Sequence, residues 1–293
     1  MNESNGATSD IPLLAMLPLI LLLIINLAYL SAAYRQRSTT RGWSGWRTGF
    51  FITGSLLLGV AFAPPAMAWA HHDLRLHMVQ HLLIGMLAPL AWVLSAPVTL
   101  LLRTLPPRTA RHVVVLLQSR PVRTISHPLS ALLLNIGGMY WLYLTPLYAT
   151  TLQHPALHHW MHLHFLVAGY LFYWSILAGP DAAPHALGMR FRLGVLFVSM
   201  ATHSILGKLM YGYLWPRGTG HEVEEIQAAA QLMYYGGDLA EVLLAIALFT
   251  MWLRTPPSRR SVLPPYQPVP PARDSGRYAG PSITSPSVSK RLP

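Results

Sequence analysis

Seven apolar runs constrain this chain more than any other feature of its sequence. They cover residues 11–30, 50–70, 78–102, 128–148, 157–178, 191–215 and 228–253. Each has about the 20 residues a helix needs to cross hydrocarbon. Without water to satisfy backbone N–H and C=O groups, helices are the form such runs must take, and the strict alternation of a membrane barrel is absent. Composition agrees. Only 11% of the residues are charged, against about 25% in a soluble domain.

The expected fold is therefore all-α, a polytopic transmembrane helical bundle of seven spans, with the lipid bilayer as its main solvent. The formal net charge of +11 does not point to nucleic acid, because the basic residues sit in short loops between apolar runs. Their distribution sets the orientation. Arg35, Arg37, Arg41 and Arg47 follow the first run; Arg103, Arg108, Arg111, Arg120 and Arg123 follow the third; Arg190 and Arg192 follow the fifth. With the seven in the tail, eighteen Lys and Arg fall on one side and only Arg75 and Arg217 on the other. This predicts an external N-terminus (residues 1–10), a seven-helix domain (residues 11–253) and a cytoplasmic C-terminus. The first run lacks a basic leader, carries Glu3 and Asp10, and is followed by arginines, so it reads as a span and not a cleaved signal peptide. Residues 254–293, rich in Pro, Ser and Arg, read as a disordered basic cytoplasmic tail.

Cysteine is absent, which removes disulfides and thiolate metal sites. The chain instead has 14 histidines. On the predicted topology only His112, His127 and His185 are cytoplasmic; the rest lie in outer loops, at outer helix ends or within the sixth run. His77 and His81, four apart, share a helix face, and His158 and His162 repeat that spacing at similar depth on the fifth helix. One such pair is more often a polar anchor than a metal site. Two pairs at matching depth make a candidate site, with Met78 and Met161 as thioether donors suited to Cu(I). His71, His72 and Asp73 offer an outer capture site, although His71, His72, His154 and His221 read more simply as solvated loop residues.

Four ionisable residues fall deep within the last two runs: His203, Lys208, Asp238 and Glu241. Such groups must face the bundle interior and find partners. Their depths suggest a Lys208–Asp238 pair and a His203–Glu241 contact, either as structural pairs or as an inner polar site on a pathway. Pro64, Pro65, Pro89 and Pro97 are expected to kink helices, and Gly54, Gly59, Gly137, Gly138, Gly236 and Gly237 to allow close helix packing. No phosphate-binding glycine loop, nucleophile elbow or metalloprotease helix is present, so no enzyme activity is expected.

Four stretches together resemble a known family. They are His77 to Leu83 (HMVQHLL) with Ala88-Pro89 and Ala96-Pro97; Trp141 to Tyr143 with Pro146 to Tyr148; His158 to Phe165 (HHWMHLHF) with Gly169 and Phe172 to Trp174; and Leu232 to Glu241 (LMYYGGDLAE). In that order they are similar to the seven-span CtaG family of bacterial cytochrome c oxidase assembly factors, with Tyr234 where the family usually has Trp. The resemblance spans residues 50 to 253. It implies a non-enzymatic role in the bacterial plasma membrane, maturing the respiratory oxidase by contact with cytochrome c oxidase subunits and by copper insertion. Copper held by His77, His81, His158 and His162 is the leading reading. The rivals are a transporter or channel moving copper or protons along His203, Lys208, Asp238 and Glu241; a haem-binding electron carrier with haem between helices three and five; and a scaffold without metal.

Overall fold

The computed structural model describes residues 13–179, 181–184 and 187–254. The expectations for residues 1–10, for His185 and for the tail beyond Arg254 lie outside the described residues. Among the described residues every regular element is helical. The helices are α1 (Leu13–Arg37), α2 (Gly45–Ala61), α3 (Pro64–His72), α4 (Leu74–Leu94), α5 (Pro97–Thr104), α6 (Pro107–Leu117), α7 (Arg120–Ile125), α8 (128–143), α9 (Leu147–Gln153), α10 (Pro155–Leu177), α11 (Met189–Tyr213) and α12 (Val223–Arg254).

Four of these, α1, α4, α11 and α12, are long and apolar enough to cross a membrane, and the pair α2–α3, bent by 56° between its two helices, is so as well when taken together. By length and composition the chain is thus a membrane-embedded helical protein with four or five candidate spans. The other two expected crossings are less plain. Helix α10 has 23 residues, but four histidines in its first turns dilute its apolar character. The run 128–148 forms α8, breaks at Thr145 and Pro146, and resumes as the short α9.

Proline places most of the breaks. Pro64, Pro97, Pro107, Pro128 and Pro155 each open a helix, where the missing N–H costs nothing. Pro97 ends the third crossing instead of kinking it: Ala96 takes a left-handed conformation (φ 53°) between α4 and α5. Pro89 lies inside α4, where its ring removes a donor; the preceding residues Leu83–Leu87 widen into a π-helical stretch that absorbs the misfit. At the α2–α3 bend, the Gln80 side-chain amide of α4 donates to the Ala61 carbonyl at 2.8 Å.

The loop expected after the third span is itself helical. Helix α6 carries Arg108, Arg111 and His112 and leaves Val114, Val115 and Leu116 exposed, the pattern of a helix lying in the interface plane. Asp181, buried between α10 and α11, accepts from the Val98 and Thr99 amides at 2.9 and 2.6 Å and fixes the start of α5. Burial pushes its carboxyl upward in pKa, against the opposing pull of the Thr99 and Val98 hydrogen bonds.

The contact that positions the site is between α4 and α10. A Cβ built on Gly169 would lie 2.1 Å from the Gly85 carbonyl oxygen, so the two backbones touch there as only glycine permits. From that point the contacts rise together: Gly85 with Gly169, His81 with Phe165, His77 with His162. The two helices are therefore parallel neighbours, and their histidine-bearing N-terminal turns lie at one level.

Candidate functional site: a buried histidine cluster

Helix α4 starts at Asp73, whose side chain accepts from the Arg75 amide at 2.8 Å and so caps the helix. The Arg75 guanidinium also donates to it, which holds the Asp73 carboxyl below its ordinary pKa. One turn in, His77 is buried. Across from it, α10 presents His158 and His162, also buried. The His77 ring centroid lies 5.7 Å from that of His158 and 6.4 Å from that of His162, and the latter two are 4.3 Å apart.

A fourth imidazole comes from α3. His71 Nε2 stands 3.2 Å from His158 Nδ1. The bend after α2 folds α3 back over the cluster, so the reading of His71 as a solvated loop residue is corrected; its companion His72 is exposed. His81 sits one turn deeper, with Nε2 3.0 Å from the Met139 sulfur and its ring edge-on to Phe165. The structure therefore brings His77, His158 and His162 together with His71, and places His81 below them beside a methionine.

Of the two methionines expected nearby, Met161 lines the small cavity between these rings, along with His77, His81, His158, His162, Leu142, Thr151 and Phe165. Met78, one residue round the helix from His77, turns into the adjoining apolar core. Met139 was missed because it lies on α8 in a stretch without histidine. Tyr148 and Tyr143 close the wall beside His77, with ring centroids 4.8 and 6.2 Å away. His221, also expected in a loop, is largely buried: its Nδ1 pairs with Glu225 at 2.9 Å, and Glu225 also accepts from the Leu74 amide at the start of α4. His164 is structural, its Nε2 against the Leu134 carbonyl at 3.1 Å, while His154 is exposed as expected.

The chemistry of the donor set fits a metal ion in one respect and limits it in another. His77 Nδ1, His158 Nε2 and His162 Nδ1 are buried and have no hydrogen-bond partner. Three idle imidazole nitrogens around one cavity are costly unless something occupies them. Against this, among the described residues no group of three or more His, Asp or Glu side chains is arranged to hold an ion as it stands. The cavity has room for about one water-sized sphere, far less than a porphyrin requires, so the haem reading gains no support.

The inner polar residues do not pair as expected. Lys208 is exposed, its Nζ 5.6 Å from the Tyr234 ring centroid, while Asp238 accepts from the Ser204 hydroxyl at 3.2 Å. Among the described residues no ion pair joins Lys208 to Asp238. The helical phase explains this: Lys208 turns to the outer groove between α11 and α12, Asp238 toward their shared seam. Glu241 accepts from the Ser199 hydroxyl at 2.7 Å, and His203 lies one turn away against Gly237.

A multi-helix membrane bundle with histidines buried at one end is the class of protein that fold and site define. The chain belongs to the family described as cytochrome c oxidase caa3 assembly factor (Caa3_CtaG), whose model matches residues 27–255. Similar relatives include uncharacterized proteins of Mycobacterium bovis and Mycobacterium tuberculosis, each 36% identical over 183 residues, or 60% of this chain and 27% of theirs. A Mycobacterium leprae protein is 30% identical over 192 residues, 63% of this chain and 29% of its own. The chain thus spans less than a third of the length of these curated relatives. No solved structure matches it.

Proposed function

We propose that this protein is a non-enzymatic assembly factor of the bacterial plasma membrane that binds copper in its histidine cluster and passes it to a cytochrome c oxidase subunit. The family supports the oxidase connection. The single observation that carries the copper reading is the side-by-side placement of His77, His158 and His162, each with an idle ring nitrogen. His81, Met161 and Met139 are the next donors inward, and Met78 packs behind them. Imidazole and thioether together favour Cu(I). Bound there, copper would be held in a form that can move from one donor set to another.

The same reading includes seven spans with the N-terminus outside and the C-terminus cytoplasmic. Parallel packing of α4 and α10 supports it, because two parallel neighbours require an odd number of crossings to return between them, as α8 would supply. The cluster then opens on the outer face.

Metal analysis of the purified protein tests the site. Wild-type protein loaded with Cu(I) should retain about one ion, and the His158→Ala/His162→Ala variant should lose it while keeping its helical circular dichroism. Equal retention by folded wild type and folded variant would remove copper binding at this cluster.

A further inference from the structure

A second set of buried polar groups lies along the seam between α11 and α12, apart from the histidine cluster. These helices are antiparallel, each step along one matched by a step back on the other: Ser199 meets Glu241, His203 meets Gly237, and Gly207 meets Tyr234 and Ala230. His203 is 0% and Glu241 1% exposed. Neither His203 nitrogen has a hydrogen-bond partner, and Glu241 Oε2 has none either. A Cβ on Gly237 would stand 1.7 Å from His203 Cε1, so the glycine forms the notch in which the imidazole is seated. His203 is one turn from Ser199, and Gly237 one turn from Glu241. The ring and the carboxyl group therefore occupy adjacent rungs of the seam, one helical turn apart along it.

Ionisable groups with unpaired polar atoms inside a span are expensive and mark a function. These two have a common solution. One proton taken from water leaves the pair neutral overall, as carboxylic acid beside neutral imidazole. We infer that His203 and Glu241 form an intramembrane proton-binding site that holds one proton between them.

Other titratable groups face the pair. On α12, Asp238 accepts from the Ser204 hydroxyl and acts electrostatically on both His203 and Glu241. From α10, Tyr173 is close enough for Glu241 to act on it electrostatically, and its hydroxyl is unpartnered. From α4, His81 is within electrostatic reach of His203. From α8, the Tyr140 hydroxyl is committed to the Thr202 carbonyl. Lys208 is turned away over Tyr234.

Infrared difference spectroscopy of the full chain in phosphatidylcholine nanodiscs, titrated with pH, tests the inference. We expect a protonated-carboxyl C=O band that vanishes as pH rises, is absent in Glu241→Gln and persists in Asp238→Asn. Its midpoint should move by about one pH unit or more in His203→Gln, the size of shift a neighbouring charge produces. Ser199→Ala, a smaller change that removes the hydroxyl bonded to Glu241, should move the same midpoint. A band missing at every pH, a band retained in Glu241→Gln, or a midpoint unmoved by both His203→Gln and Ser199→Ala would overturn the site.

Discussion

Asp73 shows how much one short side chain decides at the residue scale. It caps α4 and, with Arg75, fixes the turn from which His77 projects. Because its carboxyl pKa is depressed by the Arg75 hydrogen bonds, its contribution is present above the ordinary carboxylate range and is lost as pH falls through the lowered value. Asp73→Ala should cost about 1 kcal/mol, the usual worth of an N-cap, seen as a lower melting temperature at neutral pH. That difference should shrink in acid, where the wild-type cap is protonated too. The spacing of His77 with His81 and of His158 with His162 could be read directly from the sequence. The recruitment of His71 and Met139 could not, because each comes from a helix whose approach depends on a bend or a packing contact far along the chain.

At the scale of elements, the decisive feature is the meeting of α4 and α10. Gly169 and Gly85 let the two backbones touch, and the parallel registration of both histidine pairs follows. Gly169→Ala would drive a methyl group into the Gly85 carbonyl. We expect it to destabilise the bundle by roughly 1–3 kcal/mol, the scale of an overpacked contact. It should also lengthen the distance between labels placed on the N-terminal turns of the two helices, measurable by electron spin resonance. Gly236 lies against the Leu82 side chain of α4, a close approach as expected of it. Gly59 meets only Leu22 at 4.0 Å and is not needed for close approach. Small residues were legible as a class, but which of them carry a contact depends on the partner helix.

On the scale of the whole molecule, topology is open to direct measurement because the chain has no cysteine to remove. Single cysteines at Ser38, Gln118, Thr150 and Thr219 should label in two groups with a membrane-impermeant thiol reagent applied to intact cells. Thr150→Cys and Thr219→Cys should react from outside; Ser38→Cys and Gln118→Cys should react only after the membrane is opened. Any other division would break the seven-span orientation while leaving the helical fold intact.

Uninterrupted apolar length and scarce charge already dictate a helical chain in lipid, since they leave the backbone no other way to satisfy its hydrogen bonds. Which residue types crowd one end of the bundle is equally legible, because periodicity along a helix is a local property. Which helices stand side by side is not local. Only the tertiary structure set α10 against α4, folded α3 over them, turned Lys208 away from Asp238 and seated His203 in the Gly237 notch. In each case the cause is the shape of two surfaces that meet, and one strand of letters does not carry that information.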